Sequence, residues 1–79
     1  MTSDINLRIQ GKAGRITLQR PQALNAMTYE MCLAIEKTLI EWKQDQKVKF
    51  IIIDAQGDKA FCSGGDISDL YEEGNKKKL

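Results

Sequence analysis

The sequence contains no histidine, a single proline and only two cysteines among its 79 residues. Neither Cys32 nor Cys62 belongs to a Cys-x-x-Cys motif, which argues against a structural zinc site or a disulfide framework. The absence of an imidazole also disfavours Cys62 as an activated nucleophile, because no histidine in the chain can hold its thiolate. We therefore predict no metal site and interpret both cysteines as small apolar residues.

Long apolar runs and a strong charge of one sign are also absent. No segment approaches the ~20 apolar residues of a membrane span, and the first residues, MTSDINLRIQ, do not resemble a signal peptide. Twelve basic residues nearly balance eleven acidic residues, and this balance argues against a broad nucleic-acid surface. These absences predict a cytoplasmic protein that binds neither membranes nor nucleic acids.

Two segments near the N-terminus alternate apolar and polar residues. The apolar positions are Ile5, Leu7 and Ile9 in the first segment and Ile16 and Leu18 in the second. A period of two predicts two half-buried strands. The GKAG segment between them favours a tight antiparallel hairpin.

An amphipathic helix is predicted to follow the hairpin. Pro21 lacks a backbone N–H and should end the second strand, whereas Thr28 has the side chain of a helix N-cap. Apolar residues then recur at spacings of three and four, which predicts a helix to about Asp45. The residues predicted to face the core are Met31, Ile35, Thr38, Leu39 and Trp42. The residues predicted to face water are Glu30, Lys37, Glu41 and Gln44.

The apolar run Phe50, Ile51, Ile52 and Ile53 predicts a third strand. Because it shows no alternation, both of its faces should be covered, as in a parallel sheet. A strand, a helix and this strand would form the usual parallel crossover. One helix covers only one face, which indicates that the chain belongs to a larger fold.

Two adjacent glycines, Gly64 and Gly65, lie in the segment DKAFCSGGDISDL. A glycine loop that leads into a helix presents unpaired N–H groups, which suit an anion or a carbonyl oxygen that acquires negative charge. The alternative is that the glycines only permit positive φ angles in a turn.

A short helix is predicted after these glycines, with Asp66 as its cap and Gly74 at its end. We expect it to continue through Tyr71 and Glu73. Asp66, Glu72 or Glu73 could instead act as a general acid or base, but such a role needs burial or a specific partner that the sequence does not indicate.

Three motifs in unbroken order, RITLQRPQALNAM, FIIID and KAFCSGGDI, resemble the crotonase superfamily of enoyl-CoA hydratases and isomerases. The resemblance covers residues 5 to about 74, and FCSGGDISDLYEEG is most similar to the 3-hydroxyisobutyryl-CoA hydrolase branch. It implies an α/β fold, the N-terminal portion of a ββα spiral with a hairpin, a helix, a parallel strand, an oxyanion loop and a short helix. Residues 1–75 would form this fragment, and residues 76–79 would form a basic tail.

The resemblance also implies an acyl-CoA site. The backbone N–H of Gly65 matches one half of the oxyanion hole that binds the thioester carbonyl. Ser63 matches a residue whose carbonyl contacts the adenine ring. The residues assigned to acyl-CoA binding are Ala23, Leu24, Ala26, Ser63, Gly65, Asp66, Ile67 and Ser68. Gln22 replaces a residue that is commonly basic, although Arg20 or Lys59 could contact the phosphates instead. No separate cofactor is expected, because the substrate itself carries coenzyme A.

Two classes of function follow. The chain is either a segment of an acyl-CoA thioester enzyme, hydrolase-like in preference to hydratase- or isomerase-like, or a non-catalytic binding or assembly module. The resemblance places the second oxyanion donor and the catalytic carboxylates further along the family's longer chains, so we expect the isolated chain to be inactive. Its uncovered sheet predicts self-association or docking with the remainder of the fold.

Overall fold

The computed structural model describes residues 3–69 and residue 72. It contains strands β1 (Ile5–Gln10), β2 (Ala13–Leu18) and β3 (Phe50–Ala55), a 3-10 turn (Pro21–Ala23) and helix α1 (Tyr29–Lys43). The strands lie in the order β1-β2-β3, with β1 antiparallel to β2 and β2 parallel to β3. The predicted hairpin, helix and parallel strand are therefore confirmed.

The second helical segment begins at Ile67, and residues 67–69 and 72 are helical. The predicted passage of this helix through Tyr71 and Glu73 and its end at Gly74 lie outside the described residues. The predicted basic tail at 76–79 lies outside them as well.

The hairpin turn is shorter than the GKAG segment. Only Gly11 and Lys12 separate the strands, and Gly11 has the positive φ of 62° that a tight hairpin turn requires. Gly14 lies within β2, where a Cβ atom would overlap the Trp42 ring. Gly14 therefore permits close packing of the helix on the strand, whereas Gly11 forms the turn.

Helix α1 begins where the sequence predicts. Thr28 is its N-cap, and the Thr28 hydroxyl accepts a hydrogen bond from the N–H of Met31 at 3.1 Å. Met31 and Trp42 are buried, as expected from their spacing. Leu39 was predicted to face the core but is 39% exposed. It lines an open groove of about 260 Å³ with Trp42, Phe50 and other residues, beyond the two strands that α1 covers.

The hydrophobic core is formed by two strands and the helix. Its buried members are Ile5, Ile16, Leu18, Met31 and Trp42. None of them comes from β3, in which Phe50 and Ile53 are 54% and 53% exposed. The expectation that the helix covers one face of β3 is therefore wrong, because α1 packs on β1 and β2. That the chain belongs to a larger fold stays a prediction, and the exposed FIIID run is the apolar surface that such a fold would cover.

Candidate functional site

A buried asparagine, Asn25, holds the loop after β2 against the loop after β3 by hydrogen bonds. Asn25 has a φ of 56° and is fully buried. Its Oδ1 accepts a hydrogen bond from the N–H of Arg20 at 2.8 Å. Its Nδ2 donates to the carbonyl oxygens of Gln56 and Ala60 at 2.8 and 3.0 Å. Asn25 thereby joins the loop after β2 to the loop after β3.

The glycine segment pairs with this loop through a parallel bridge between Met27 and Gly65. The N–H of Met27 donates to the carbonyl of Gly64 at 2.8 Å, and the N–H of Asp66 donates to the carbonyl of Met27 at 2.7 Å. Since Met27 bonds the two neighbours of Gly65, the N–H of Gly65 points to the opposite side of the segment. That N–H donates no hydrogen bond to a described residue, and Gly65 is exposed.

The two glycines have different conformations. Gly64 has a φ of 115°, a region that favours glycine, and Gly65 has no positive φ. The interpretation of a simple glycine turn therefore applies to Gly64. Gly65 does not need glycine for its backbone angles, and its distinguishing feature is the outward N–H.

The other predicted binding residues lie beside Gly65. Ser63 donates its N–H to the carbonyl of Leu24 at 3.0 Å, and no described residue donates to its own carbonyl oxygen. Ala23 ends the 3-10 turn, and the carbonyl of Ala26 accepts from the Arg20 side chain. Ile67 is 82% exposed, and Ser68 is also exposed. The structure thus brings the predicted binding loop and the glycine segment together.

Asp66 is held by two neighbours. Its Oδ2 pairs with Nη1 of Arg20 at 2.9 Å, and its Oδ1 accepts from the N–H of Asp69 at 3.0 Å. The Asp69 N–H bond and the Arg20 guanidinium both stabilise the charged form, which lowers the pKa of the Asp66 carboxyl. The bond to Asp69 confirms Asp66 as the cap of the second helical segment. Arg20 is engaged by Asp66, which leaves Lys59 as the more accessible candidate for the phosphates.

A cleft of about 180 Å³ separates the two loops. Its lining residues are Pro21, Leu24, Asn25, Gln56, Gly57, Asp58, Lys59 and Ala60. Of the residues assigned to acyl-CoA binding, only Leu24 is among them. Neither the lining by Gln56, Gly57 and Asp58 nor the buried position of Asn25 was predicted from the sequence. An asparagine beside a proline-containing loop was the available signal, because asparagine tolerates the left-handed region.

Within 3–69 and 72, no group of three histidine, cysteine, aspartate or glutamate side chains is arranged to hold a metal ion. In that part of the chain, no helix has the length and apolar character needed to cross a membrane.

The family comparison agrees with this fold. A family model described as enoyl-CoA hydratase/isomerase matches residues 13–79. The chain belongs to this family and thus to the crotonase superfamily, and its α/β arrangement is that of the family.

Individual relatives include both hydrolases and hydratases. The chain is 44% identical to the mitochondrial 3-hydroxyisobutyryl-CoA hydrolase of Danio rerio, over 98% of this chain and 20% of the relative. The hydrolase of Bos taurus is 47% identical, over 92% and 19%. The crystal structure of an enoyl-CoA hydratase from Rhodobacter sphaeroides 2.4.1 has a TM-score of 0.85 and 47% identity, over 94% of this chain and 22% of that one.

These comparisons correct one expectation and set one limit. The predicted cytoplasmic location is wrong, because the curated hydrolases from zebrafish, cattle and human are named as mitochondrial proteins. That prediction depended on the absence of a signal peptide and a membrane span, and neither absence distinguishes the cytoplasm from the mitochondrion. The chain spans about one fifth of the length of the curated relatives that it matches.

Proposed function

We propose that this chain forms part of an acyl-CoA thioester enzyme and that the N–H of Gly65 donates one hydrogen bond of its oxyanion hole. The observation that carries the proposal is the outward N–H, which the Met27 bridge fixes in place and which has no acceptor among the described residues. A donor that is already oriented toward a developing oxyanion stabilises the transition state by about 2.7–4 kcal/mol.

The neighbouring loops would hold the coenzyme A portion of the substrate. The carbonyl of Ser63, to which no described residue donates, has the chemistry to accept a hydrogen bond from an adenine amino group. The loop with Ala23, Leu24 and Ala26 lies against the Ser63 segment and would form the wall of the nucleotide pocket. Lys59 lies on the cleft beside this loop and would pair with a phosphate. Asp66, Ile67 and Ser68 would follow along the acyl channel.

The preferred reaction is hydrolysis of 3-hydroxyisobutyryl-CoA. The curated relatives with this name match nearly the whole chain at about 44% identity, which supports the assignment. Hydration or isomerisation of an enoyl-CoA is the second candidate, supported by the 47% identity to the Rhodobacter hydratase. Both reactions develop negative charge on the thioester oxygen, so the role of Gly65 is the same in each.

A hybrid enzyme tests the role of Gly65. This chain would replace the matching segment of the Danio rerio hydrolase, and thiol release from 3-hydroxyisobutyryl-CoA would be measured. Gly65→Pro removes the N–H, and we expect kcat to fall by ~10² to 10³ with a smaller change in KM. Gly65→Ala is the matched control, because it retains the N–H at a residue without positive φ.

Equal turnover by the hybrid and its Gly65→Pro variant would show that this amide is not an oxyanion donor. The 79-residue chain by itself should release no thiol, because one donor without a general base is insufficient. To distinguish the two candidate reactions, the longest natural protein that contains this chain would be assayed with 3-hydroxyisobutyryl-CoA and with crotonyl-CoA. A preference for hydrating crotonyl-CoA would favour the second candidate.

A further inference from the structure

A continuous line of hydrogen bonds runs from a side chain to the candidate oxyanion donor. Nη1 of Arg20 donates to the carbonyl of Ala26 at 3.0 Å. The next N–H, of Met27, donates to the carbonyl of Gly64 at 2.8 Å. The N–H that follows that carbonyl belongs to Gly65. Arg20 is therefore connected to the Gly65 N–H through two peptide groups in series.

The geometry of the peptide group makes this connection directional. A trans peptide is planar, with its C=O and N–H on opposite sides, and the described residues contain no cis peptide bond. Fixing the Ala26 carbonyl thus fixes the Met27 N–H, and fixing the Gly64 carbonyl fixes the Gly65 N–H. The orientation of the Gly65 N–H is therefore set by the hydrogen bonds that Arg20 and Met27 donate to the carbonyls of Ala26 and Gly64.

The same line carries a charge effect. The guanidinium group of an arginine side chain carries a positive charge. Each hydrogen bond that draws electron density from a carbonyl makes the N–H of that peptide a stronger donor, and successive bonds polarise one another. Both peptide dipoles point in the same sense, away from the guanidinium. The charge of Arg20 consequently strengthens the Gly65 N–H as a donor.

Asp66 holds the guanidinium at the start of the line. It pairs with the same Nη1 at 2.9 Å, and the Arg20 and Asp66 side chains are only 20% and 21% exposed. Through the N–H of Asp69, whose own carboxylate accepts from the N–H of Tyr29 at 2.7 Å, Asp66 is anchored to the start of α1. The arginine therefore has a fixed place between the binding loop and the glycine segment.

We propose that Arg20 is a positioning residue for the acyl-CoA reaction, which orients and polarises the Gly65 N–H through the Ala26–Met27 and Gly64–Gly65 peptide groups. This proposal rests on the proposed role of Gly65 as an oxyanion donor. Arg20 would thus act on the reacting carbonyl oxygen through the Gly65 N–H, whereas its sequence position suggested contact with the coenzyme A phosphates.

The test compares arginine variants in the hybrid enzyme. We expect Arg20→Met to lower kcat about 10-fold, less than the loss of the donor itself, with KM changed less than about twofold. Arg20→Lys retains a positive donor and should recover most of the lost kcat. Arg15→Met is the matched control, because Arg15 also pairs with a carboxylate, that of Asp54, but has no bond to the glycine segment. It should leave kcat unchanged.

A second variant distinguishes an effect of Arg20→Met on folding from an effect on turnover. If Arg20→Met lowers the thermal midpoint so far that activity cannot be measured, the double variant Arg20→Met with Asp66→Asn removes the unpaired carboxylate and should restore the midpoint. Its kcat should stay about 10-fold below that of the single variant Asp66→Asn, which retains Arg20. An equal kcat in these two variants, or an equal loss in Arg15→Met, would overturn the proposal. A large loss in Gly65→Pro together with a wild-type kcat in Arg20→Met would overturn only the role of Arg20.

Discussion

At the scale of the residue, Asn25 connects the two loops that form the candidate site. We expect Asn25→Ala to lower the free energy of unfolding of the hybrid enzyme by about 2–4 kcal/mol. The substitution removes three hydrogen bonds and places alanine at a φ of 56°. Denaturant unfolding measures the loss. Gln22→Ala, at an exposed residue of the adjacent turn, is the control and should change stability by less than about 0.5 kcal/mol.

The loss of the side-chain hydrogen bonds and the strain of a positive φ can be measured separately at position 25. Asn25→Gly accepts the left-handed angle but makes none of the side-chain bonds, so it should be about 1 kcal/mol less destabilising than Asn25→Ala. If both substitutions left the unfolding midpoint unchanged, Asn25 would not hold the loops together, and the shape of the cleft would need another explanation.

The caps were predictable from the sequence and the long-range partners were not. Thr28 and Asp66 bond the N–H groups of residues three positions later, which a local pattern reveals. The partners of Arg20 are Asp66 and the Ala26 carbonyl. Nothing in the sequence near Arg20 identifies them, and Arg20 was therefore considered for phosphate binding instead. Those contacts arise only when the parallel bridge brings the glycine segment to the loop after β2.

At the scale of the element, the packing of α1 on β2 depends on Gly14. A Cβ atom there would overlap the Trp42 ring. We therefore expect Gly14→Ala to lower the free energy of unfolding by about 1–3 kcal/mol through overpacking. Trp42→Phe provides a smaller ring, so the cost of Gly14→Ala should be reduced in that background. An equal cost in both backgrounds would show that the helix does not approach the strand as closely as the structure indicates.

Periodicity predicted the elements well and their covered faces less well. The alternation in β1 and β2 and the caps of α1 are local signals, and they gave the correct kinds of element. Leu39 lies on the apolar stripe of the helix, but it projects beyond the two strands that α1 covers. Burial depends on where the helix crosses the sheet, and the spacing of residues along one helix does not contain that information.

At the scale of the whole molecule, β3 is an edge strand that carries an apolar run. Ile51 and Ile52 are each 40% exposed, in addition to the more exposed Phe50 and Ile53. Phe50 and Ile52 lie on the face of Arg15, opposite α1, as the register of β2 and β3 shows. In a protein five times longer, further strands or helices would cover these residues, and we propose that the remainder of the fold docks here.

We predict that the isolated chain self-associates at micromolar concentration, because burying each exposed aliphatic side chain gains about 1.5–3 kcal/mol and the open edge of β3 can pair with another strand. Sedimentation velocity, together with a dye that binds apolar surfaces, measures this association.

The double substitution Phe50→Lys and Ile52→Lys places charge on the open face without touching the buried core and should shift the chain toward monomer. Ile40→Lys, at a 58% exposed position on α1, adds charge away from that face and should leave the association intact. A sharp monomer peak for the unsubstituted chain, with cooperative thermal unfolding and no dye signal, would contradict the prediction and would mean that the exposed run of β3 is tolerated without a partner.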